Sequence, residues 1–369
     1  MADLSECVPD HIRNLVAYQP GKPVEEVERE LGIRGAIKVA SNENPLGPSP
    51  LALAALPRVL PQLHLYPDAG GFGLRRALAA KLGVRVDELA LGNGSNDLLY
   101  QLVLATCDPQ DEVLSHEFGF LAYRLAAQVA GRPFVTAPVT AELSCDVDAI
   151  VAAITPRTKL VMLGSPNNPT GSIVTQVGAE RILRALPQRA LLIVDEAYAE
   201  YAAAWPEVDC ASGLALRSRD PRVVVLRTFS KIYGLAGLRV GYAIADRSIV
   251  DWLGRVARTF HVSSLALAGA QAALDDHEHV AISARHARSA VEQLQRQVKG
   301  PGVRVYSSMA NFVLIDTGRP AMPIYDRLLR SGIIVRPMEA WGLPTCIRVS
   351  VATAQDMPRV IAALNDVLA

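Results

Sequence analysis

Short runs of Val, Ile and Leu alternate with helical patterns along most of this chain. The runs lie at residues 88–91, 112–115, 133–137, 160–164, 190–195, 222–227 and 240–245. Strands that are apolar on both faces and separated by helical crossovers are typical of a mostly parallel sheet covered by helices. The pattern therefore predicts an α/β fold, and ligands of such folds bind at the carboxyl ends of the strands.

The pattern changes towards the end of the chain, which at 369 residues is long for one domain. A helical stretch at about 276–299 is followed by apolar runs near 311–315, 333–336 and 346–351. We expect a large domain at 46–275, a smaller α+β domain at 276–369, and an N-terminal segment at 1–45 that packs with the small domain.

Composition argues against several classes of partner. Lys plus Arg and Asp plus Glu both total 37, so no overall charge excess favours nucleic acid or a membrane surface. The five cysteines are scattered and predict neither a disulfide framework nor a metal site: Cys7, Cys107, Cys145, Cys210 and Cys346. No signal or membrane-spanning segment is recognisable, so we expect a cytoplasmic protein that acts on small molecules.

Two of the predicted strands end in groups that suit a charged ligand. Residues 92–97 form a glycine-containing turn before a helix beginning near Leu98, and free N–H groups there suit a phosphate, although ordinary helices start in the same way. Asp195 follows four apolar residues, where an acid is costly without a positive partner. A protonated pyridine nitrogen would be such a partner; the alternative is an exposed helix cap.

Lys231 follows the strand at 222–227 and is unusual among the six lysines, because only this one comes at the end of an apolar strand. Partial desolvation and nearby cations would lower its pKa and make the amine nucleophilic towards an aldehyde. Thr228, Ser230 and Arg239 are suited to hold a phosphate nearby. A structural ion pair is the competing interpretation of Lys231.

A fourth strand end carries the loop at 165–171, in which Asn168 is able to donate a hydrogen bond to a ring oxygen. Asn-Pro and Thr-Gly pairs both favour turns, so a plain loop explains the composition equally well. The spacing alone does not separate these two interpretations.

The segments 165–171, 195–198 and 230–239, in this order, resemble the signature of fold-type I aminotransferases of the aspartate aminotransferase superfamily. The segments 18–23, 41–50 and 66–68 further resemble histidinol-phosphate aminotransferases. The similarity runs from about Tyr18 to the C-terminal helix. It implies a fold-type I α/β enzyme, active as a homodimer, with pyridoxal 5'-phosphate as the cofactor.

The resemblance implies a set of cofactor contacts. Lys231 would bind the cofactor aldehyde covalently and also act in proton transfer, Asp195 would pair with the ring nitrogen, and Asn168 and Tyr198 would contact the ring oxygen. The phosphate would lie against Gly94, Ser95, Asn96, Thr228, Ser230 and Arg239, with Tyr66 reaching in from the second subunit. Phe120 would stack on the pyridine ring.

The resemblance also implies a set of substrate contacts. Arg348 would bind the substrate carboxylate through its two-pronged guanidinium. Arg336 and Tyr18 would join it around a substrate phosphate, and Asn44, within the segment 41–50, is a further expected substrate contact.

The sequence departs from the family pattern at two places. Asn96-Asp97 replaces Asp-Glu, and Phe118-Gly119-Phe120 replaces the usual Pro-Thr-Tyr/Phe run. The second lies next to the expected stacking position and bears on substrate selection.

The implied reaction is amino transfer between L-histidinol phosphate and 2-oxoglutarate, giving imidazole acetol phosphate and L-glutamate. An aromatic amino acid aminotransferase and a phosphothreonine-type decarboxylase share these motifs and remain alternatives. A binding or regulatory protein that kept the fold without the activity is a third.

Overall fold

A computed structural model describes residues 4–16 and 21–369 of the chain. Its strands are Ile37–Lys38 (β1), Leu89–Gly92 (β2), Glu112–His116 (β3), Phe134–Ala137 (β4), Thr158–Gly164 (β5), Leu191–Asp195 (β6), Val223–Thr228 (β7), Gly241–Ile244 (β8), Arg304–Val305 (β9), Phe312–Asp316 (β10), Ile333–Ile334 (β11), Arg336–Pro337 (β12) and Cys346–Ser350 (β13).

Its α-helices are Asp10–Arg13 (α1), Val24–Leu31 (α2), Pro50–Ala55 (α3), Phe72–Leu82 (α4), Ser95–Thr106 (α5), Leu121–Val129 (α6), Val147–Ala153 (α7), Gln176–Ala185 (α8), Ala199–Ala202 (α9), Gly213–Arg217 (α10), Arg247–Val256 (α11), Ser264–Ala273 (α12), His277–Gln297 (α13), Ala321–Arg330 (α14) and Met357–Leu368 (α15). In the part of the chain that the structure describes, none of them is long and apolar enough to cross a membrane.

The large sheet has seven strands in the order β2-β8-β7-β6-β5-β3-β4. Its neighbours are parallel except around β8, which is antiparallel to both β2 and β7. The central strands β5, β6 and β7 are almost wholly buried because helices cover both faces. The predicted α/β fold with a mostly parallel sheet is therefore confirmed.

The carboxyl ends of β5, β6 and β7 meet at one edge of this sheet. Gly164 pairs with Asp195, and Asp195 pairs with Leu226, so the residues that follow these strands emerge side by side. Helix α5 starts at Ser95, three residues earlier than its apolar pattern indicated, and brings its N-terminus to the same edge. The register thus gathers the polar strand ends into one place.

The last third of the chain builds an antiparallel sheet in the order β12-β13-β10-β9. Strand β1 pairs in parallel with β11, which attaches the segment before residue 45 to this part of the protein. The two-residue strands β1 and β9 are too short for a periodic signal and were not predicted. The domain limits at 45/46 and 275/276 lie outside the two large sheets and stay a prediction.

Candidate active site

A cavity of about 320 Å³ opens at the carboxyl edge of the large sheet. The structure brings thirteen of the predicted site residues into its wall: Gly94, Ser95, Asn96, Phe120, Asn168, Asp195, Tyr198, Thr228, Ser230, Lys231, Arg239, Arg336 and Arg348. They come from both sheets, although they span more than 250 positions of the sequence. The roles assigned to them stay predictions; the structure gives their geometry.

One end of the cavity is suited to an anion. Gly94 precedes α5 with φ 80°, and no side chain caps the helix, so its first N–H groups remain open to a ligand. A Cβ at Gly94 would lie 2.7 Å from Arg239 Nη2, so the missing side chain lets the guanidinium approach the helix start. Gly241 packs against the first residue of the same helix, and a Cβ there would collide with the Ser95 nitrogen. The missing side chain therefore lets the strand and the helix start lie in close contact.

Hydroxyl groups complete this end of the cavity. Thr228 Oγ1 donates to Ser230 Oγ at 3.0 Å, and the Ser230 N–H donates to Thr228 Oγ1 at 3.1 Å. Arg239 has a left-handed backbone with φ 56° and donates to the Ala236 carbonyl at 3.1 Å and to Ser230 Oγ at 3.5 Å. The helix start, the two hydroxyls and the guanidinium together form a donor-rich cradle of the kind that binds phosphate.

Asp195 ends β6 and is only 5% exposed. Burial raises the pKa of its carboxyl from 3.8 to about 6, although hydrogen bonds from Tyr123 and from the Ala197 backbone favour the ionised form. Tyr123 Oη donates to Asp195 Oδ2 at 3.0 Å, and the Ala197 N–H donates to Oδ1 at 3.1 Å. No cationic side chain of residues 4–16 and 21–369 lies within 4 Å of this carboxylate. The site therefore suits a positively charged ligand atom.

Lys231 lines the same cavity as Asp195. Its Nζ donates to the Ser41 carbonyl at 3.3 Å and lies 5.7 Å from the centre of the Tyr198 ring. Burial, followed by the positive charge of Arg348, lowers the pKa of this amine from 10.5 to about 8. About a tenth of the amine is therefore neutral at pH 7, far more than for an ordinary lysine, which makes it more nucleophilic.

Two arginines from the antiparallel sheet also line the cavity. Arg336 on β12 and Arg348 on β13 are direct cross-strand partners. Arg348 Nη1 donates to Asn168 Oδ1 at 2.5 Å, and Nη2 donates to the Ala40 carbonyl at 2.6 Å. The Arg336 guanidinium lies 5.5 Å from the centre of the Trp341 ring. Like charges in opposing positions are unfavourable unless an anion shares them, so this wall favours a negatively charged substrate group.

The aromatic side chains shape the cavity. Phe120 immediately precedes α6 and packs edge-to-face on Tyr123, with ring centroids 5.7 Å apart. Trp341, from the small sheet's side, lines the same cavity. A flat ring fits between such walls.

Three predicted residues are not in the wall. Asn44 is buried beside the cavity, and its Nδ2 donates to the Ile232 carbonyl and to Ser283 Oγ, both at 2.8 Å, so it holds the chain rather than facing the cavity. Tyr66 is 82% exposed and stacks on Phe260 at 4.6 Å, away from the cavity of its own chain. Tyr18 lies outside the described residues.

Tyr123 and Asn42 line the cavity but were not predicted as site residues. Tyr123 occupies an ordinary apolar position of α6, so its sequence gives no sign that its hydroxyl reaches Asp195. Asn42 carries one local signal, because asparagine is among the few residues that readily adopt its φ of 54°.

A family model described as aminotransferase class I and II matches residues 34–364. A histidinol-phosphate aminotransferase of Anaeromyxobacter sp. is 45% identical, with 98% of this chain and 99% of that protein covered. One of Nitrosococcus oceani is 43% identical, with coverage of 97% and 95%. The chain belongs to the histidinol-phosphate aminotransferases. The predicted resemblance is thus confirmed over nearly the whole chain.

Solved structures agree with this assignment. The histidinol-phosphate aminotransferase of Sinorhizobium meliloti, in complex with pyridoxal 5'-phosphate, superposes with a TM-score of 0.87 at 30% identity and covers 98% of this chain and 97% of its own. An aspartate aminotransferase of Thermus thermophilus superposes with a TM-score of 0.83 at 22% identity and covers 98% and 99%, which shows the same fold. The predicted fold type is confirmed.

As a member of this family, the aminotransferase uses pyridoxal 5'-phosphate, and the cavity fits that group on three independent points. Asp195 is a buried carboxylate that suits a protonated ring nitrogen. The uncapped start of α5 and Arg239 suit the phosphate. Lys231 has an amine of lowered pKa that suits the aldehyde.

Proposed function

We propose that this enzyme transfers an amino group between L-histidinol phosphate and 2-oxoglutarate, with Arg336 and Arg348 as the substrate anion site. The observation that carries the proposal is the cross-strand pairing of the two arginines in the wall of the cofactor cavity. Two neighbouring guanidinium groups suit a phosphate dianion better than an uncharged aromatic ring. The names of the relatives point to the same substrate.

The two arginines serve the two substrates differently in this proposal. Arg348 is 6% exposed and is held by Asn168 Oδ1 and the Ala40 carbonyl, so its guanidinium is fixed for a carboxylate such as that of glutamate. Arg336 is only partly buried and lies against the Trp341 ring. In the proposal Arg336 joins Arg348 around the phosphate of histidinol phosphate, a substrate that has no carboxylate of its own.

The cofactor, when bound, supplies an aldehyde that bonds to amines and a ring that accepts electrons from the reacting carbon. Asp195 keeps that ring cationic because its buried carboxylate is stabilised by a positive partner. In this proposal Tyr198 and Asn168, which line the cavity, would hydrogen-bond the ring oxygen, and Phe120 would stack on the ring. The proposed role of these residues is to bind and orient the cofactor.

Lys231 is the proposed acid–base group. Its Nζ moves a proton to and from the substrate's amine-bearing carbon, which requires an amine that is neutral in part and charged in part near neutral pH. The pKa of about 8 meets that requirement. The Ser41 carbonyl, 3.3 Å away, provides an acceptor that holds the amine while it is not bonded to the cofactor.

Exchanging Arg336 for Gln tests the substrate assignment. We expect the KM for histidinol phosphate to rise about 10- to 100-fold, the effect of losing a charged hydrogen bond to phosphate, and the KM for glutamate to change far less. Arg330→Gln, an exposed arginine at the end of α14, is the matched control and should alter neither value. Equal effects of Arg336→Gln on both substrates would contradict the proposed site.

A comparison of acceptors separates the aromatic alternative from the proposal. Imidazole acetol phosphate should be used with a far higher kcat/KM than phenylpyruvate, because only the first offers a phosphate to Arg336. Preference for phenylpyruvate would favour the aromatic amino acid aminotransferase, and release of carbon dioxide would favour the decarboxylase.

We also propose that the active form is a homodimer, in which Tyr66 reaches the cofactor phosphate of the second subunit. The support is a surface segment that exposes Tyr66 together with five leucines, an unusually apolar patch for a monomer: Leu51, Leu53, Leu60, Leu63 and Leu65. Light scattering should give twice the chain mass of 39.6 kDa. A monomer with full activity would contradict this assembly.

A further inference from the structure

Asn42 joins the small sheet to the cofactor cavity through a directed set of hydrogen bonds. It is 1% exposed and lies between Ser350, at the end of β13, and Tyr198, which follows β6. Its Nδ2 is 2.9 Å from Tyr198 Oη, and Ser350 Oγ is 2.8 Å from its Oδ1. The three side chains therefore form one buried chain of contacts.

The direction of each hydrogen bond in this chain is determined by Ser350. The backbone N–H of Asn42 donates to Ser350 Oγ at 2.9 Å, so the serine oxygen already accepts one hydrogen. The serine hydrogen then goes to Asn42 Oδ1. This arrangement turns the Nδ2 of the amide towards Tyr198. The opposite orientation would place two N–H donors of Asn42 on the serine oxygen and would take away the acceptor of the serine hydrogen.

The same direction continues to the phenol. Since Asn42 Nδ2 carries only hydrogens, Tyr198 Oη must accept from it, and the phenolic hydrogen has to point away from Asn42. Tyr198 lines the cavity, so an oxygen bound there is able to accept this hydrogen. A hydroxyl that accepts one hydrogen bond is also a better donor in the next.

The backbone of Asn42 supports this role. Its φ of 54° is left-handed, a conformation that costs free energy in most residues and that concentrates at functional sites. Asn311 Nδ2 donates to the Asn42 carbonyl at 3.2 Å and stabilises the turn. The adjacent Ser41 carbonyl meets Lys231 and the Ala40 carbonyl meets Arg348, so the strained turn directs three consecutive residues at the site.

We propose that Asn42 is a positioning residue, oriented by Ser350, that directs the Tyr198 hydroxyl to donate to the ring oxygen of the bound cofactor. Ser350 is two residues from Arg348 on β13, so one strand both binds the substrate carboxylate and orients this hydroxyl. The inference rests on the cofactor site and does not depend on which amino donor the enzyme uses.

The test is a double-mutant cycle on Asn42→Gly and Tyr198→Phe, read by cofactor properties rather than turnover. Glycine accepts the left-handed backbone and keeps the N–H bond to Ser350, so the fold is preserved. Asn42→Gly should raise the dissociation constant of pyridoxal phosphate for the apoenzyme about three- to tenfold, as expected for one buried hydrogen bond.

A second readout is the pH midpoint of the bound cofactor's absorbance change. Without the directed hydroxyl, the ring oxygen keeps more negative charge and holds the proton of the neighbouring cofactor–lysine linkage more tightly, so the midpoint should move to higher pH. Ser350→Ala should give a smaller shift in the same direction. Ser308→Ala is the matched control, because this serine is also buried but does not hydrogen-bond Asn42. Its Oγ accepts a hydrogen bond from the Ala310 N–H instead.

The cycle distinguishes positioning from a merely structural role. If Asn42 acts through the phenol, adding Asn42→Gly to Tyr198→Phe changes neither readout further. Equal shifts in both backgrounds, or no shift in Asn42→Gly alone, would overturn the proposal. Borohydride reduction that still fixes the cofactor on Lys231 in every variant shows that the cofactor site itself is intact.

Discussion

Replacing Asp195 with Asn should stabilise the apoenzyme while weakening the holoenzyme. In the apoenzyme, the carboxylate is buried without a cation beside it among the described residues, and its pKa is raised from 3.8 to about 6. A difference of about two pKa units corresponds to about 3 kcal/mol of folding free energy at neutral pH. Asn removes this cost and keeps the shape of the side chain.

The pH dependence follows from the sign of the shift. The folded apoenzyme takes up this proton as the pH falls below about 6, whereas the unfolded chain does so only near 3.8. The cost of Asp195 is therefore absent below about pH 4, grows between pH 4 and 6, and is constant above. The stability gain of Asp195→Asn should follow the same course.

The net gain is smaller than the full electrostatic cost. Asn offers one acceptor oxygen where Asp195 offers two, so either the Ala197 N–H or the Tyr123 hydroxyl hydrogen loses its present acceptor, at a cost of about 1 kcal/mol. We expect a gain of about 1–3 kcal/mol at pH 8, measured by urea unfolding of apoenzyme. The holoenzyme variant should bind the cofactor more weakly and turn over at least about 100-fold more slowly.

The neighbouring carboxylate provides the control. Glu196 is 3% exposed but forms an ion pair with Arg227 at 2.7 Å and accepts the Gly213 N–H at 2.6 Å. Glu196→Gln should therefore destabilise the apoenzyme, because it removes the negative charge opposite the half-buried Arg227 guanidinium. A loss of stability in Asp195→Asn at pH 8, or a gain that is the same at pH 4 and pH 8, would refute the reasoning.

Three further experiments test the rest of the cavity. Lys231→Ala should leave no pyridoxyl adduct after borohydride reduction and peptide mass mapping, and an adduct elsewhere with full turnover would contradict its role. In the wild type, the rate of covalent cofactor attachment to the apoenzyme should rise with pH and level off near pH 8. With an unperturbed lysine, the rate would continue to rise up to about pH 10.5. Gly94→Ala should weaken cofactor binding about tenfold by displacing Arg239, whereas Gly237→Ala, with open space around it, should not.

The strand-end residues could be predicted because a parallel sheet fixes where its strands end. Once 160–164, 190–195 and 222–227 are recognised as neighbouring strands, the groups that follow them must emerge at one edge. Asp195 and Lys231 needed only this step. The glycine turn before α5 was recognisable for the same reason, although its apolar pattern placed the helix start three residues late.

Contacts between distant segments of the chain could not be predicted from the sequence. Ser350 meets Asn42 across 308 positions, and Tyr123 meets Asp195 across 72, through packing that no local pattern encodes. Asn42 lines the cavity, whereas Asn44 is buried beside it and bonds the Ile232 carbonyl. The motif at 41–50 indicated that the segment matters, yet it did not show which of the two asparagines lines the cavity.

The two ionisable groups that matter most share one physical cause. Both Asp195 and Lys231 follow a strand of apolar residues, and burial is the largest influence on each, raising the pKa of the acid to about 6 and lowering that of the amine to about 8. Burial disfavours charge of either sign, so it moves an acid and a base towards neutral pH from opposite sides. An apolar strand that ends in an ionisable residue is therefore an informative pattern in the amino-acid sequence itself. In the proposed site the cofactor would relieve both costs together, because its ring nitrogen would pair with the acid and its aldehyde would bond to the amine. The burial that perturbs each group would then also favour binding of a ligand that suits them both.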